Sequence, residues 1–477
     1  MFFKKEFYLL LLVIITFSCS NQNDNPTILN EQEDGNKELT IFHINDIHGS
    51  IDNFSKIKYI VDEERKNNNV LFVCGGDTFS GNPVVDNHAE KGYPMIDLMN
   101  KVGINAAAIG NHEFDYGEAV LKNRLEQSNF DWLCANINTK NSSIKQPKAY
   151  KTITINGVTV TILGLIQTKE GNNGTIPSTH PLRVKNFTFT NYAEIISDYA
   201  NLKNDENSDL YIALTHLGYS SDISLARKYP YFDIIIGGHS HTSDYREENG
   251  TYIYQAGSKL KNIGKIKVTI DKNGAISTKY ELINLSDATN LNQSVQEDIE
   301  TYNHQPELDV VIGYAEASHN RNEVGNFYTE ALLKELNADL TFHNSGGIRN
   351  TLDKGDITIR EIYSIDPFNN GSVTYSMTIK EVKTFLKENG DGFHYAGLTI
   401  EQSGNNILIK DKNGNILSNN TSITIGINDF IPIVFKNYFT TIPSVKNYTT
   451  AETVINYLNN NSEPVNFTNY SKYFKYQ

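Results

Sequence analysis

The sequence predicts a protein of two α/β (α+β) domains, the first of them layered and built on mixed sheets. Three observations lead there. Short β-branched runs alternate with stretches of helical spacing from Leu39 onward, and some of these runs are paired across Asn-Gly dipeptides. Near Leu285–Gln305 the pattern gives way to a polar, helix-compatible segment before a second β-rich region begins. Strands alternating with helices imply layers, and hairpins add antiparallel strands to the sheets. At 477 residues the chain is long enough to bury two cores.

Taken in order, Leu39–Ile44, Val70–Cys74, Ala106–Ile109, Leu210–Thr215 and Asp233–Ile236 are predicted strands. Phe54–Lys66 and Tyr93–Val102 space their apolar residues as helices do. Asn156-Gly157 joins Thr152–Ile155 to Val158–Leu163, and Asn273-Gly274 joins Lys265–Asp271 to Ala275–Leu282. Both dipeptides tolerate the positive φ that a tight hairpin needs. No internal repeat is present, and no internal stretch is apolar over the length a bilayer requires.

At the N-terminus, Lys4 and Lys5 precede an apolar stretch from Tyr8 to Phe17 that ends at Ser18-Cys19. This resembles a bacterial lipoprotein signal over residues 1–19, with Cys19 as the lipidated first residue of the mature chain. An ordinary cleaved signal with an incidental Cys19 is the alternative. Residues 20–37 are polar and read as a tether. The chain is therefore expected to be exported, as a periplasmic or outer-membrane-anchored lipoprotein of a bacterium. Cys74 and Cys134 are too few for a disulfide framework, and Cys74 reads as a small buried hydrophobe. A formal charge of −14 argues against nucleic acid polymers or anionic membrane as the main partner. It leaves phosphorylated small molecules open, because bound cations reverse a local field.

The informative residues fall where strands end. Asp46 and His48 follow the first predicted strand, Asp77 the second, and Asn111 and His112 the third; His216 follows the fourth, and His239 and His241 the fifth. Sites in open α/β sheets collect outside the carboxyl ends of strands. The donor types suit two divalent cations, Zn, Mn, Co or Fe, and the lack of thiolates argues against a structural zinc site. That combination points to metal-assisted phosphate ester hydrolysis. His43 reads as support behind the site. His88, His180, His304, His319, His343 and His394 have no ligand-like context and read as surface or structural.

Five blocks in this order, Asp46-Ile47-His48, Gly76-Asp77, Gly110-Asn111-His112-Glu113-Phe114-Asp115, Thr215-His216-Leu217-Gly218 and Gly237-Gly238-His239-Ser240-His241, resemble the calcineurin-type metallophosphoesterases. Asn344-Ser345-Gly346-Gly347-Ile348-Arg349 and Pro367-Phe368-Asn369-Asn370 narrow the resemblance to the 5′-nucleotidase family. It implies a four-layer α/β/β/α metallophosphoesterase domain over 38–285, a linker helix over 286–307 and a smaller mixed α/β substrate-recognition domain over 308–477. It also implies that Asp46, His48 and His241 hold one metal, that Asp77 bridges, and that Asn111, His216 and His239 hold the other. His112 and Asp115 are the implied catalytic pair; if their block opens a helix, the three-residue spacing puts both on one face. The structural alternative for this block is a helix N-terminal cap network, with Glu113 and Asp115 favoured by the dipole.

In the second domain the resemblance implies that Asn344 and Arg349 serve the phosphate and sugar and that Phe368 and Phe430 sandwich the base. The chain departs from the family after Phe430. Relatives continue to Gly-Gly-Asp-Gly, whose acid reaches the ribose, whereas here Ile431-Pro432-Ile433-Val434-Phe435 follows. Arg321 lies ahead of Gly325-Asn326 and is a weaker phosphate candidate. The implied activity is hydrolysis of nucleoside 5′-monophosphates. A 2′,3′-cyclic-nucleotide phosphodiesterase with 3′-nucleotidase activity, a nucleotide-sugar hydrolase, a thiosulfate-ester hydrolase and a nucleotide-binding lipoprotein without catalysis are the alternatives.

Overall fold

The computed structural model describes residues 35–168, 175–403, 406–468 and 474–476. The expected signal with Cys19, and the tether up to residue 34, lie outside the described residues.

Two six-stranded sheets form the first domain. In one, Lys37–Ile44, Val70–Cys74, Ala106–Ala108 and Asp131–Leu133 run parallel, and Asn262–Ile270 and Ile276–Asn284 extend it in antiparallel fashion. In the other, Val158–Ile166, Leu210–His216, Ile234–Ile236 and Thr251–Ala256 run parallel, with antiparallel Tyr150–Ile155 and Ser243–Glu248 at the edges.

Side-chain alternation assigns the layers. Leu39 and Ile41 cluster with Val160, Ile212 and Ile236 of the opposite sheet. Phe42 and Ile44, on the same strand, cluster instead with Ile57, Val61 and Leu98 of the helices Phe54–Arg65 and Tyr93–Val102. On the far side, Leu163, Leu165 and Tyr211 cluster with Leu225 and Ala226 of the helix Tyr219–Lys228. Sheet packs on sheet, and helices cover both outer faces: the expected α/β/β/α order.

The Asn156-Gly157 hairpin forms as predicted, with Ile155 opposite Val158 and φ of 44° and 86° at the two turn residues. The second hairpin is looser, because Ile270 pairs with Ile276. The Asp271 carboxylate accepts the amides of Asn273 and Ala275, both at 2.8 Å, and so draws the expected strand ends into the loop.

A helix, Gln293–Asn303, forms within the segment expected as a linker and is packed on the first domain. Val295 and Ile299 enter that domain's core, and Ser55 Oγ donates to Gln296 Oε1 at 2.8 Å. The second domain is centred on a five-stranded mixed sheet in the order Phe393–Gly397, Leu340–Asn344, Ser422–Asn428, Gly371–Thr378, Ser444–Thr449. Its helices Arg321–Glu335, Ile359–Ile365, Ile379–Asn389 and Thr450–Asn460 each begin with a capping box, from Asn320/Glu323 through Thr449/Glu452. No helix among the described residues is long and apolar enough to cross a membrane.

Candidate active site

Five of the expected ligand positions sit in the left-handed region of backbone space: Asp46 at φ 50°, His48 at 49°, Asp77 at 55°, His239 at 79° and His241 at 56°. Asp, Asn and His tolerate that region better than other side-chain-bearing residues. The sharp turns lift these side chains off the strand ends into one volume between the sheets' carboxyl edges. Neighbouring glycines keep the loops close. A Cβ on Gly110 would lie 2.3 Å from Asp77 Oδ1, and one on Gly238 would lie 2.6 Å from the Gly75 carbonyl.

Six of the expected ligands, together with His112, group into overlapping donor sets whose atoms lie within 4.8 Å of one another: Asp46, His48 and His241; His48, Asp77 and His112; Asp77, His216 and His239. Asp77 belongs to two of them. Asn111 joins the last set through its Oδ1, 2.9 Å from His239 Nδ1. Asp46, Asp77, His48 and His216 are buried, whereas His241 is 39% exposed at the rim.

The proton positions suit a pair of cations. His48 Nδ1 faces the Ser80 carbonyl at 3.2 Å and His216 Nδ1 faces the Gly75 carbonyl at 2.7 Å. A carbonyl only accepts, so each Nδ1 donates, and each Nε2 presents a lone pair when its ring is neutral. His48 Nε2 then lies 2.9 Å from His241 Nε2. His216 Nε2 faces Asp77 Oδ2 at 2.9 Å without a well-directed hydrogen bond. Donor atoms turned on one another in this way fit one divalent ion between His48 and His241 and another beside His216 and Asp77.

The electrostatics divide the rings: burial works against charge on His216, but Asp77 outweighs it and raises that ring to about 10, so His216 must give up its Nε2 proton to bind an ion. Burial, with a smaller push from His112, drives His48 well below its ordinary pKa, and burial together with Arg349 lowers His241 to about 4, so both rings are neutral as ligation requires. Burial pushes Asp46 up to about 7 although His216 pulls the other way. Burial also opposes charge on Asp77, but His216 and His112 outweigh it and hold that carboxyl well below the usual range.

His112 opens a single 3₁₀ turn, His112–Phe114, rather than an α-helix. The pair still meets: His112 Nδ1 lies 2.6 Å from Asp115 Oδ2. Burial works against a charged His112 ring, but Asp115 and Asp77 outweigh it and raise its pKa. His112 Nε2 is turned toward Asp77 Oδ2 at 3.9 Å.

A cavity of about 650 Å³ opens over this cluster and joins the two domains. The first domain contributes Asp77, Asn111, His112, Asp115, His239 and His241 to its wall; the second contributes Asn344, Arg349, Phe368 and Phe430. Asp46, His48 and His216 lie beneath that wall. Arg349 holds its guanidinium 5.8 Å from the Phe368 ring centroid. Asn344 Oδ1 accepts from Asn428 Nδ2 at 2.8 Å. Val434 and Phe435, from the segment that departs from the family pattern, also line the cavity. Arg321 donates from Nε to the Ile348 carbonyl at 2.7 Å, one residue from Arg349.

Sequence reading missed several supports. Glu113 does not act through a helix dipole; its carboxylate accepts the amides of Asp77, Thr78 and Gly110 at 3.0, 2.6 and 2.5 Å. Asn45 binds Asp46 Oδ2 and the Gly257 carbonyl, at 2.6 and 2.7 Å. Asp222 accepts from Thr215 and Gln255 beside the His216 and His239 loops. The signal in the sequence was the position of Glu113 inside one motif block and of Asn45 immediately before another. His180, read as surface or structural, lines the cavity and has its ring 5.8 Å from that of Phe430. His43 is not behind the site: its ring stacks on Tyr280 at 5.8 Å in the space between the sheets, and burial lowers its pKa to about 3. Cys74 and Cys134 are buried free thiols.

The calcineurin-like phosphoesterase family matches residues 39–243, and the 5′-nucleotidase C-terminal domain matches residues 308–438. The trifunctional nucleotide phosphoesterase protein YfkN of Bacillus subtilis is 27% identical over 86% of this chain, which spans 33% of that protein's length. The 5′-nucleotidase of Vibrio vulnificus is 26% identical over 76% of the chain and 79% of its own length. A crystal structure of a 5′-nucleotidase precursor from Thermus thermophilus shares the fold, with a TM-score of 0.80 at 22% identity, covering 92% of this chain and 99% of that one. Both halves of the protein thus find their counterparts in one family, and the chain belongs to the 5′-nucleotidase family of metallophosphoesterases, which are phosphoester hydrolases.

Proposed function

We propose that this chain hydrolyses nucleoside 5′-monophosphates to nucleoside and phosphate outside the cytoplasm, where it serves nucleotide salvage. The observation that carries the reading is the shared cavity, with a metal-type donor cluster on one wall and Arg349, Asn344, Phe368 and Phe430 on the other. A phosphate at the cluster and a base between the rings are matched by one ligand shape. The relatives named for nucleotides support the same substrate class.

In this reading Asp46, His48 and His241 would hold one cation and Asn111, His216 and His239 the other, with Asp77 placed to serve both. The cations supply Lewis acidity toward the phosphoryl oxygens and make water more acidic. Arg349 offsets phosphate charge from the second domain. Asp115 fixes the His112 tautomer by accepting from Nδ1, which leaves Nε2 facing the cavity. A proton on Nε2 stabilises charge on the phosphoryl group and is available to the departing ester oxygen. Asn344, held by Asn428, orients polar parts of the sugar, and Phe368 and Phe430 stack the base.

One observation favours a broader range of esters. Val434 and Phe435 form the wall where a ribose-binding acid is usual, so 3′- and cyclic nucleotides remain the second reading. Phosphate release from AMP, 3′-AMP, 2′,3′-cyclic AMP and UDP-glucose, with Mn, Zn, Co and Fe supplied separately, decides between them. AMP is expected to be turned over fastest, and Asp77→Ala to be silent on all four. A preference for another ester replaces the 5′-nucleotidase reading, and AMP binding without turnover by metal-loaded wild type ends it. Export with a lipid on Cys19 is part of the proposal, from Lys4, Lys5 and the apolar run before that cysteine. Labelled palmitate that enters the wild type and equally the Cys19→Ala variant would refute the anchor.

A further inference from the structure

Arg183 reaches two places at once. It closes the 3₁₀ turn Pro181–Arg183 of the first domain. Its Nη2 donates to the carbonyl of Phe368 in the second domain at 2.6 Å, while Nη1 lies 3.7 Å from Asp115 Oδ1. One rigid guanidinium therefore contacts the loop that carries a cavity ring and the carboxylate that orients His112. Arginine suits this place, since its planar fork serves two acceptors in fixed directions where a lysine ammonium would serve one.

The base of this contact is anchored. Arg183 N donates to the His180 carbonyl at 2.9 Å, Leu182 N bonds His180 Nδ1 at 3.2 Å, and Val184 is buried in the core. At the other end, the Phe368 ring lies 5.8 Å from that of His112, at an interplanar angle of 27°. Phe368 thus meets both members of the pair: His112 through its ring, and Asp115 through Arg183. Asp115 keeps a second contact on the same oxygen, from Thr179 Oγ1 at 3.3 Å, so it is not left bare without Arg183.

We propose that Arg183 is a positioning residue that makes the geometry of the His112–Asp115 pair depend on the Phe368 loop. Esters whose leaving group engages Phe368 settle that loop, and through Arg183 they settle Asp115 and His112. Esters without a base do not. The inference rests on the nucleotidase reading above and adds a route by which base recognition raises turnover as well as affinity.

The test compares metal-loaded wild type, Arg183→Ala, Arg183→Lys, Phe368→Ala and the Arg183→Ala/Phe368→Ala double variant on AMP and on ribose 5-phosphate, which lacks a base. For Arg183→Ala, kcat on AMP is expected to fall about 10- to 100-fold with KM little changed, the scale of a small misplacement of catalytic groups. On ribose 5-phosphate kcat is expected to hold within about twofold, and Arg183→Lys to restore only part of the AMP rate. The double variant is expected to lose less kcat than the product of the single losses, because the two residues lie on one route. Equal losses on both esters, or independent losses in the double variant, overturn the proposal. Hydrogen exchange across residues 366–371 gives a substrate-free arm: it is expected to quicken in Arg183→Ala, and unchanged exchange also overturns the proposal. A wild type that turns over ribose 5-phosphate and not AMP would defeat the nucleotidase reading, while the exchange arm still decides the contact.

Discussion

The carboxylate of Glu113 lies beneath the Asp77 loop and accepts the Asp77 amide at 3.0 Å. It also takes the amides of Thr78 and Gly110 and the Thr78 hydroxyl, and it is fully buried. Four donors from two loops converge on one side chain, which sets the height of Asp77 above the strand end. Glu113→Ala leaves three buried amides unpaired, each costing about 1–3 kcal/mol. Denaturant titration is expected to show a loss of about 3 kcal/mol or more, with reduced metal content. Glu113→Gln should fall between the two, because an amide nitrogen then faces backbone donors. An unchanged unfolding midpoint in the alanine variant would contradict this account.

Metal removal is expected to lower thermal stability as well as activity. A ligand bound only by the folded state adds about 2.7 kcal/mol per site at a hundredfold excess over its Kd. Chelation should therefore lower Tm, and Mn, Co or Zn should restore it. In Asp77→Ala the restoration should shrink sharply, since Asp77 belongs to two of the donor sets. Equal metal-induced Tm shifts in variant and wild type would argue against a shared carboxylate.

His112→Ala should lower kcat by about 10²–10⁴-fold, the usual range for a lost acid–base group. Asp115→Asn should cost less, because Thr179 and Arg183 still surround the side chain. Metal content measured by atomic emission should stay at the wild-type ratio in Asp115→Asn. A drop there would make Asp115 a support of the metal cluster instead of the pair.

Phe430→Ala should weaken AMP by about tenfold in KM, within the 1–3 kcal/mol per stacked base seen for aromatic platforms. Ribose 5-phosphate, lacking a base, should be unaffected. Equal effects on both would return Phe430 to ordinary packing against His180.

Much of this site was legible because its signals are local. A ligand-type residue just after an apolar run, with a glycine within three positions, marks a strand end, and Asp46, Asp77, Asn111, His216 and His239 all carry that mark. The left-handed backbone at Asp46, His48, Asp77, His239 and His241 was not legible, since it follows from how loops from two sheets crowd together. The roles of Glu113, Asn45 and His180 were hidden for the same reason: each acts on a loop far away in sequence. Arg183 carried no motif at all, and its partners Asp115 and Phe368 lie on different domains.

By itself the sequence determined two α/β domains, strands at Leu39–Ile44, Val70–Cys74 and Leu210–Thr215, which the fold extends to Lys37 and His216, and the residue types able to bind two cations. Periodicity, Asn-Gly turns and apolar runs are properties of neighbouring residues, so one chain read in order exposes them. Tertiary structure decided which of those residues share a volume. Asp46 and His239 meet only because Leu39 and Ile41 bury against Ile212 and Ile236 across the two sheets, bringing both sets of carboxyl ends to one edge. Apolar burial carries no direction of its own, and the register it settles into depends on the whole packed interior.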